Sequence, residues 1–477
     1  MATVVGIQGR DFTINGQLAY TPQLGYPAAH PAVRGKLLMM KSTNSIFDDA
    51  NYPARGSREH PYDNGASWDY PDGRWDPERH TDEFIAMLPT YRRHGFNTVS
   101  TSLMSNVPSG GGEGPWRSVS WDADGRFKPD YAGRLRRVLD ATDREGLVLL
   151  IQTFMPNNTH VLPGRGGEAA DDAYIKACAR STVGLLLESG HRNVLLEVVH
   201  EPSGRPQYEQ TICTPQREHV LLEYVREVSG GAIPITSGSW SVPDEPERFY
   251  ASQDFLAHGH AGASPAEVDE TDPAWQRAAD GKPVFCLEVC SPFCLEPALK
   301  WNSGAALFSL GMNDYVEGYQ AVPIHWGITT PMKWNFMQQV AILTGCERPG
   351  EPPEIEGAPP CRIDGLGDGE RVEELMRLKL RADAPLAYEP GSELRLNRVS
   401  WLIDGRMAAA KGFQRPDEPI PEGVLEMDGA ALRTGPFGFD FRELPAGEHE
   451  LMVLTNYRKA RWYERSGRIG RVRFVTA

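Results

Sequence analysis

Long apolar runs are missing from this 477-residue chain. No stretch approaches the roughly 18 apolar residues that cross a bilayer, and mean hydropathy is −0.43, so no membrane partner is expected. The first ten residues lack a charged segment followed by an apolar one, which predicts no secretory leader and a cytoplasmic location. A Lys/Arg-rich run is also missing. With 49 basic against 64 acidic residues the net charge is −15, and a phosphate backbone would be repelled overall. Nucleic acid is not an expected partner. Cysteines number seven, an odd count, and Cys286, Cys290 and Cys294 are four apart rather than grouped as CxxC pairs. That pattern predicts reduced, mostly buried thiols rather than a zinc cluster. There is no internal repeat, and no Gly-rich dinucleotide fingerprint follows the first strand. What remains is ordinary for a globular protein, 40% hydrophobic and 24% charged. The length suits two or three domains, or one barrel of about 250 residues with an accessory unit.

Residues 1–35 read as a β-hairpin lead-in, with Asp11–Ile14 and Gln17–Tyr20 flanking the type I′ turn signal Asn15-Gly16. From Lys36 onward short apolar strands alternate with amphipathic helices. Strands are expected at 36–40, 96–100, 147–154, 193–199, 233–236, 254–258, 283–287 and 305–309. Helices are expected near 81–94, 131–144, 172–188, 216–228, 273–279 and 297–302. Alternating units with right-handed crossovers imply a parallel sheet. Eight of them within 36–345 favour an α/β fold closed as a (β/α)₈ barrel. Residues 346–384 read as a Pro/Gly-rich linker with a short helix at 371–381. Period-two alternation from about Leu386 predicts a small β-sandwich over 385–477, packed on the barrel or in an oligomer contact.

In such a barrel, function sits where strands end and βα loops open. Read in order, those ends are Lys41 to Asn44 with Asp48 and Asp49 just beyond, Gln152 to Phe154, His200-Glu201, Ser237 to Trp240, His258 to His260, Glu288, and a region containing Trp326. Two buried strands therefore run straight into a glutamate, Glu201 on the fourth and Glu288 on the seventh. An unpaired buried carboxylate is costly. Each alone could be the partner of a neighbouring base; two on nearly opposite strands of one mouth suit the cleavage of a glycosidic bond. There one carboxyl group protonates the leaving oxygen and the other attacks or stabilises an oxocarbenium-like centre.

The segments Asn193 to Pro202, ending Val199-His200-Glu201-Pro202, and Lys282 to Glu288 resemble the strand-four and strand-seven motifs of the clan of retaining (β/α)₈ glycoside hydrolases. The resemblance spans roughly residues 36–345. It implies that Glu201 is the acid/base and Glu288 the nucleophile of a double displacement. Gly-x-Asp-Phe-x-Ile-Asn-Gly at 9–16, Ile46 to Asp49, Trp75 to Arg79, Tyr319 to Pro323 and Trp326-Gly327 are similar to a group of bacterial cellulase-like proteins of poorly defined substrate. Three departures stand out. His200 occupies the place of the clan's Asn, His260 that of a Tyr after strand six, and no counterpart is evident for an Arg beside the nucleophile.

His258-x-His260 could chelate zinc, but metal-dependent hydrolase barrels carry that pair on strand one, so no metal and no cofactor are expected. Both histidines are candidates for contacts to substrate hydroxyls, with His200 and Gln152. Asp48 and Asp49 could hold sugar hydroxyls or cap the next segment. Trp68, Trp75, Trp116, Trp121, Trp240 and Trp326 fall near strand ends or loops. Two or three of them are expected to stack on sugar rings, Trp240 and Trp326 among the candidates, and the others to fill the core. The expected partner is a small carbohydrate or glycoside, and a homo-oligomer is compatible. The alternatives are a catalytically weak carbohydrate-binding barrel and a non-glycosidic hydrolase or lyase on the same scaffold.

Overall fold

The structure is a computed structural model that describes residues 2–48, 69–105, 118–155, 171–201, 211–239, 246–259, 273–289, 292–307, 315–319, 322–411, 425–429, 441, 444–459 and 463–476. Eight strands close a barrel: Leu38–Met40, Thr98–Ser102, Val148–Phe154, Val194–His200, Ile235–Ser239, Leu256–His258, Val284–Val289 and Ser303–Leu307. Each runs parallel to its neighbours, and the eighth pairs with the first through Ala305 and Leu38. The reason lies in composition. The third and fourth strands are buried along their whole length, as strands covered on both faces must be.

Helices Pro77–Arg93, Pro129–Arg144, Asp172–Ser189 and Glu218–Ser229 cover the barrel. Their starts follow local chemistry. The Asp76 carboxylate accepts from the N–H groups of Glu78 and Arg79 (2.9 and 3.1 Å), and that of Asp171 accepts from Tyr174 at 2.7 Å. A three-stranded antiparallel sheet, Val5–Gln8, Asp11–Ile14 and Gln17–Leu18, leads in, with one strand more than the expected hairpin. Its second turn has positive φ at both Asn15 (52°) and Gly16 (76°), the type I′ geometry that this dipeptide favours.

Two expectations fail. A helix at Pro331–Thr344, missing from the expected set, is buried along almost its whole length. A helix buried on every side shows no polar stripe, so periodicity cannot flag it. One face of it packs against the C-terminal sheets through Trp334, Leu402, Met407, Met452 and Leu454. The Gln339 amide donates to the carbonyl of Gly405 at 2.9 Å. The second failure is the short helix expected at 371–381. Strand Glu370–Val372, a 3-10 turn at Leu375–Arg377 and strand Lys379–Asp383 stand there instead. Lys379–Asp383 pairs on both edges, with Arg362–Asp364 and with Glu426–Asp428, burying Leu380 and Ala382 in alternation. Ladder pairing and burial override the helix propensity of Glu, Leu, Met and Lys.

Strands Arg395–Ile403, Arg406–Lys411, Gly447–Lys459, Tyr463–Ser466 and Gly470–Thr476 join Glu370–Val372 in a six-stranded sheet. Its inner residues Leu396, Val399, Trp401, Leu451 and Val453 share one core with Leu380, Ala382 and Met427 of the three-stranded sheet. Two sheets facing across one core make a sandwich. Among the described residues no helix is long and apolar enough to cross a membrane. Five of the six described free cysteines are buried.

Candidate active site

Strands four and seven carry the two sequence-derived carboxylates, and both are irregular where it matters. Against strand five, Glu197 pairs with Thr236 but His200 pairs with Gly238, so strand four gains one residue. Against strand eight, Cys286 pairs with Ala305 but Val289 pairs with Leu307, so strand seven gains one beside Glu288. Bulges of this kind re-aim side chains. In a regular strand, residues three apart face opposite sides. Here Glu197 and His200 meet, Nδ1 of the imidazole lying 2.6 Å from Glu197 Oε1.

The next residue breaks the alternation again. Glu201 has φ 51°, the left-handed region that a side chain enters at a cost of roughly 1–2 kcal/mol. That turn, fixed by the Glu201 N–H donating to the carbonyl of Gly238 at 2.9 Å, brings consecutive residues to one side. His200 Nε2 is 3.6 Å from Glu201 Oε1 and 3.8 Å from Glu288 Oε1. One ligand atom from each of His200, Glu201 and Glu288 lies within 4.8 Å of the others.

Beneath them runs a buried polar chain. Ser102 Oγ donates to Gln152 Oε1, and the Gln152 amide donates to Glu197 Oε2, both at 2.8 Å. Glu197 in turn takes the His200 Nδ1–H, which leaves Nε2 facing the two carboxylates, where it carries a proton only when the ring is cationic. Gly238 makes room for this: a Cβ there would lie 2.1 Å from Glu197 Oε1. Burial alone would depress the His200 pKa; Glu197, assisted by Glu201 and opposed by Lys41, outweighs it and raises the value above the ordinary one. Glu288 is 3% exposed and forms an ion pair with Lys41, a lysine just past strand one. Its Oε2 is buried and has no hydrogen-bond partner among the described residues. Such an atom is uncommon in a folded interior.

No protein-family model matches the chain, and no curated protein matches it. Several solved structures are similar. An endo-β-1,4-mannanase from Thermotoga petrophila is 11% identical, with a TM-score of 0.40 over 83% of this chain and 95% of that one. A β-1,4-D-mannanase from Cryptopygus antarcticus is 12% identical, with 0.43 over 74% and 98%. An endo-1,4-β-mannanase from Rhizomucor miehei is 12% identical, with 0.41 over 64% and 89%. At these identities and TM-scores the likenesses decide neither fold nor function; the fold rests on the closed barrel and function on the site's own chemistry.

The structure thus brings Glu201, Glu288, His200 and Gln152 together. It gives other candidates different surroundings. Asp48 is buried and pairs with Arg134 at 3.2 Å, while its carbonyl takes the Tyr131 hydroxyl. Trp326 is 1% exposed, packed on Phe84 and His80, with Nε1 donating to the His80 carbonyl at 3.2 Å. Trp75 and Trp121 are buried as well, so the tryptophans among the described residues named above are core rather than cleft. His258 is buried at the end of strand six and stacks on Trp275 with centroids 5.2 Å apart. Asp49, Trp68, Trp116, Trp240 and His260 lie outside the described residues.

Lys41 and Glu197 are the site residues that sequence reasoning passed over. Each left a signal: a lysine closing an apolar strand, and a glutamate in the middle of one. Lys41 also stands where a cation beside the nucleophile was sought. His200, Glu201 and Glu288 are donors that could hold a metal ion. The Lys41 ammonium already bonded to Glu288 would repel a second cation at that oxygen.

Proposed function

We propose that the chain is a retaining glycoside hydrolase that cleaves an O-glycosidic bond by double displacement. The observation that carries this reading is the convergence, within 4.8 Å, of side-chain ligand atoms from Glu201 and Glu288 at the ends of barrel strands four and seven. Retaining enzymes hold their carboxyl groups about 5–5.5 Å apart, whereas inverting ones need about 6.5–9.5 Å for an intervening water. Burial divides the roles. Glu288, enclosed and neutralised by Lys41, suits the nucleophile that sits beneath the anomeric carbon. The Glu201 side chain is 14% exposed, which suits a group that gives its proton to a leaving oxygen and exchanges it with water. His200 Nε2, placed between them, suits a hydrogen bond with a substrate hydroxyl beside the reacting carbon.

A panel of nitrophenyl glycosides, with the first-formed product anomer followed by NMR, tests the reading. Retained configuration is expected; inversion, or no turnover on any member, would overturn it. Turnover is also expected to survive EDTA. Loss on chelation with restoration by zinc would transfer His200, Glu201 and Glu288 to a metal-dependent mechanism.

A further inference from the structure

A second cleft lies between helices Asp172–Ser189 and Glu218–Ser229 and the segment Asp124–Arg126. Its volume is about 620 Å³, and its walls include Arg126, Lys176, Arg180, Ser181 and Tyr224. Lys176 and Arg180 project from one face of helix Asp172–Ser189, four residues apart. Like charges at that spacing repel. In a chain with 15 excess negative charges both would be expected to have acquired a carboxylate. Among the described residues neither forms an ion pair. Tyr224, across the cleft on helix Glu218–Ser229, holds them instead. Lys176 Nζ is 5.2 Å and Arg180 Cζ 5.9 Å from the centre of its ring, and Arg180 Nε donates to its hydroxyl at 2.9 Å.

The other wall is fixed. The Asp122 carboxylate accepts from the N–H groups of Asp124 and Arg126, each at 2.9 Å. The Tyr174 hydroxyl donates to the Asp122 carbonyl at 2.9 Å, and the Phe127 N–H donates to Ser181 Oγ at 2.8 Å. The cleft contributes one acidic residue, Asp124, which is paired with Arg126 at 3.0 Å. Two cations therefore remain unneutralised in a preformed concavity. A planar guanidinium and a compact ammonium side by side match a tetrahedral oxyanion, the first by paired hydrogen bonds and the second as a point charge. The volume exceeds what a bare ion fills and suits an attached ring of sugar size.

We propose that this cleft binds a small molecule carrying a phosphate or sulfate ester, held by Lys176 and Arg180. The proposal is independent of the reading of the barrel mouth. Isothermal titration calorimetry of the full chain with glucose 6-phosphate, glucose 6-sulfate and glucose at low salt tests it. Saturable one-to-one binding is expected for at least one ester and for glucose none, and the tighter ester identifies the source of the oxyanion. The double variant Lys176→Gln/Arg180→Gln should weaken that binding at least about 10-fold, with thermal melting unchanged because both side chains reach solvent. Glu288→Gln should leave it unaltered, which separates this cleft from the barrel mouth. Failure of both esters to saturate, or binding that survives the double variant, would overturn the proposal.

Discussion

Carboxylates meet cations both on the flank of this barrel and in its mouth, and the two places differ in kind. On the flank, Arg134 binds Asp48 at 3.2 Å and Glu78 at 2.8 Å, reaching from a regular helix. In the mouth, Glu201 and Glu288 converge on His200, the backbone is bulged on both strands, Glu201 takes a left-handed φ, and one Glu288 oxygen has no hydrogen-bond partner among the described residues. A buried carboxylate with a base beside it is an ordinary structural device. Irregular backbone that forces two carboxylates and an imidazole together is costly for folding, and such strain collects at functional sites. The contrast explains why Asp48 and Glu288, both acids near strand ends in the sequence, have different neighbours.

The largest effect is expected in the mouth. Glu288→Gly should lower turnover on the order of 10⁵-fold, since it removes the group that forms the covalent intermediate. Azide should restore reaction with an activated glycoside and give a glycosyl azide of inverted configuration. A folded variant with wild-type turnover would place Glu288 with the structural acids. Glu201→Gln should follow, costing about 10²–10⁴-fold on substrates with poor leaving groups and far less on a dinitrophenyl glycoside. Equal losses on both, measured as kcat/KM, would remove the acid/base role.

Breaking the flank should do the opposite. Arg134→Met leaves the Asp48 carboxylate buried without its guanidinium and should cost about 3–5 kcal/mol of stability in urea unfolding. Turnover per folded molecule should hold. A variant of normal stability and lost turnover would make the flank part of the machinery.

A third acid sharpens the comparison with the smallest effect. Burial pushes the Glu218 carboxyl up to about 8, opposed by the hydrogen bond with Ser237. Ser237 Oγ lies 2.7 Å from Glu218 Oε2 and 3.1 Å from the Val199 carbonyl. One hydroxyl proton cannot serve both, so both contacts are bonds when Glu218 holds its proton. The folded state then binds a proton that the unfolded chain releases above about 4.5. The stability this contributes is complete below pH 4.5 and lost as pH rises through about 8, a change of a few kcal/mol at most. Glu218→Gln should melt like the wild type near pH 4.5 and above it near pH 9. Parallel melting curves across that range would show Glu218 already ionised.

Much of this architecture was legible in the residue pattern. Apolar strands alternating with capped amphipathic helices allow few arrangements other than a closed parallel barrel, and an apolar strand that ends in Glu marks its mouth. The helix Pro331–Thr344 was illegible because burial on every side erases the polar stripe. The segment 371–381 misled because local propensity there is helical, and only pairing with two distant strands makes it extended.

The site divides the same way. Sequence alone determined that Glu201 and Glu288 end strands four and seven, since strand length and alternation are local properties of the chain. Only the tertiary structure decided their neighbours. Lys41 reaches Glu288 across 247 positions, a contact that exists because the barrel closes. The bulge that turns Glu197 onto His200 is set by register with strand five, and a one-residue shift leaves no mark in either strand's own sequence. The room for that pair comes from Gly238 on the neighbouring strand. Chemistry-bearing residue types are written in the chain; which of them share one small volume depends on packing between segments far apart in it.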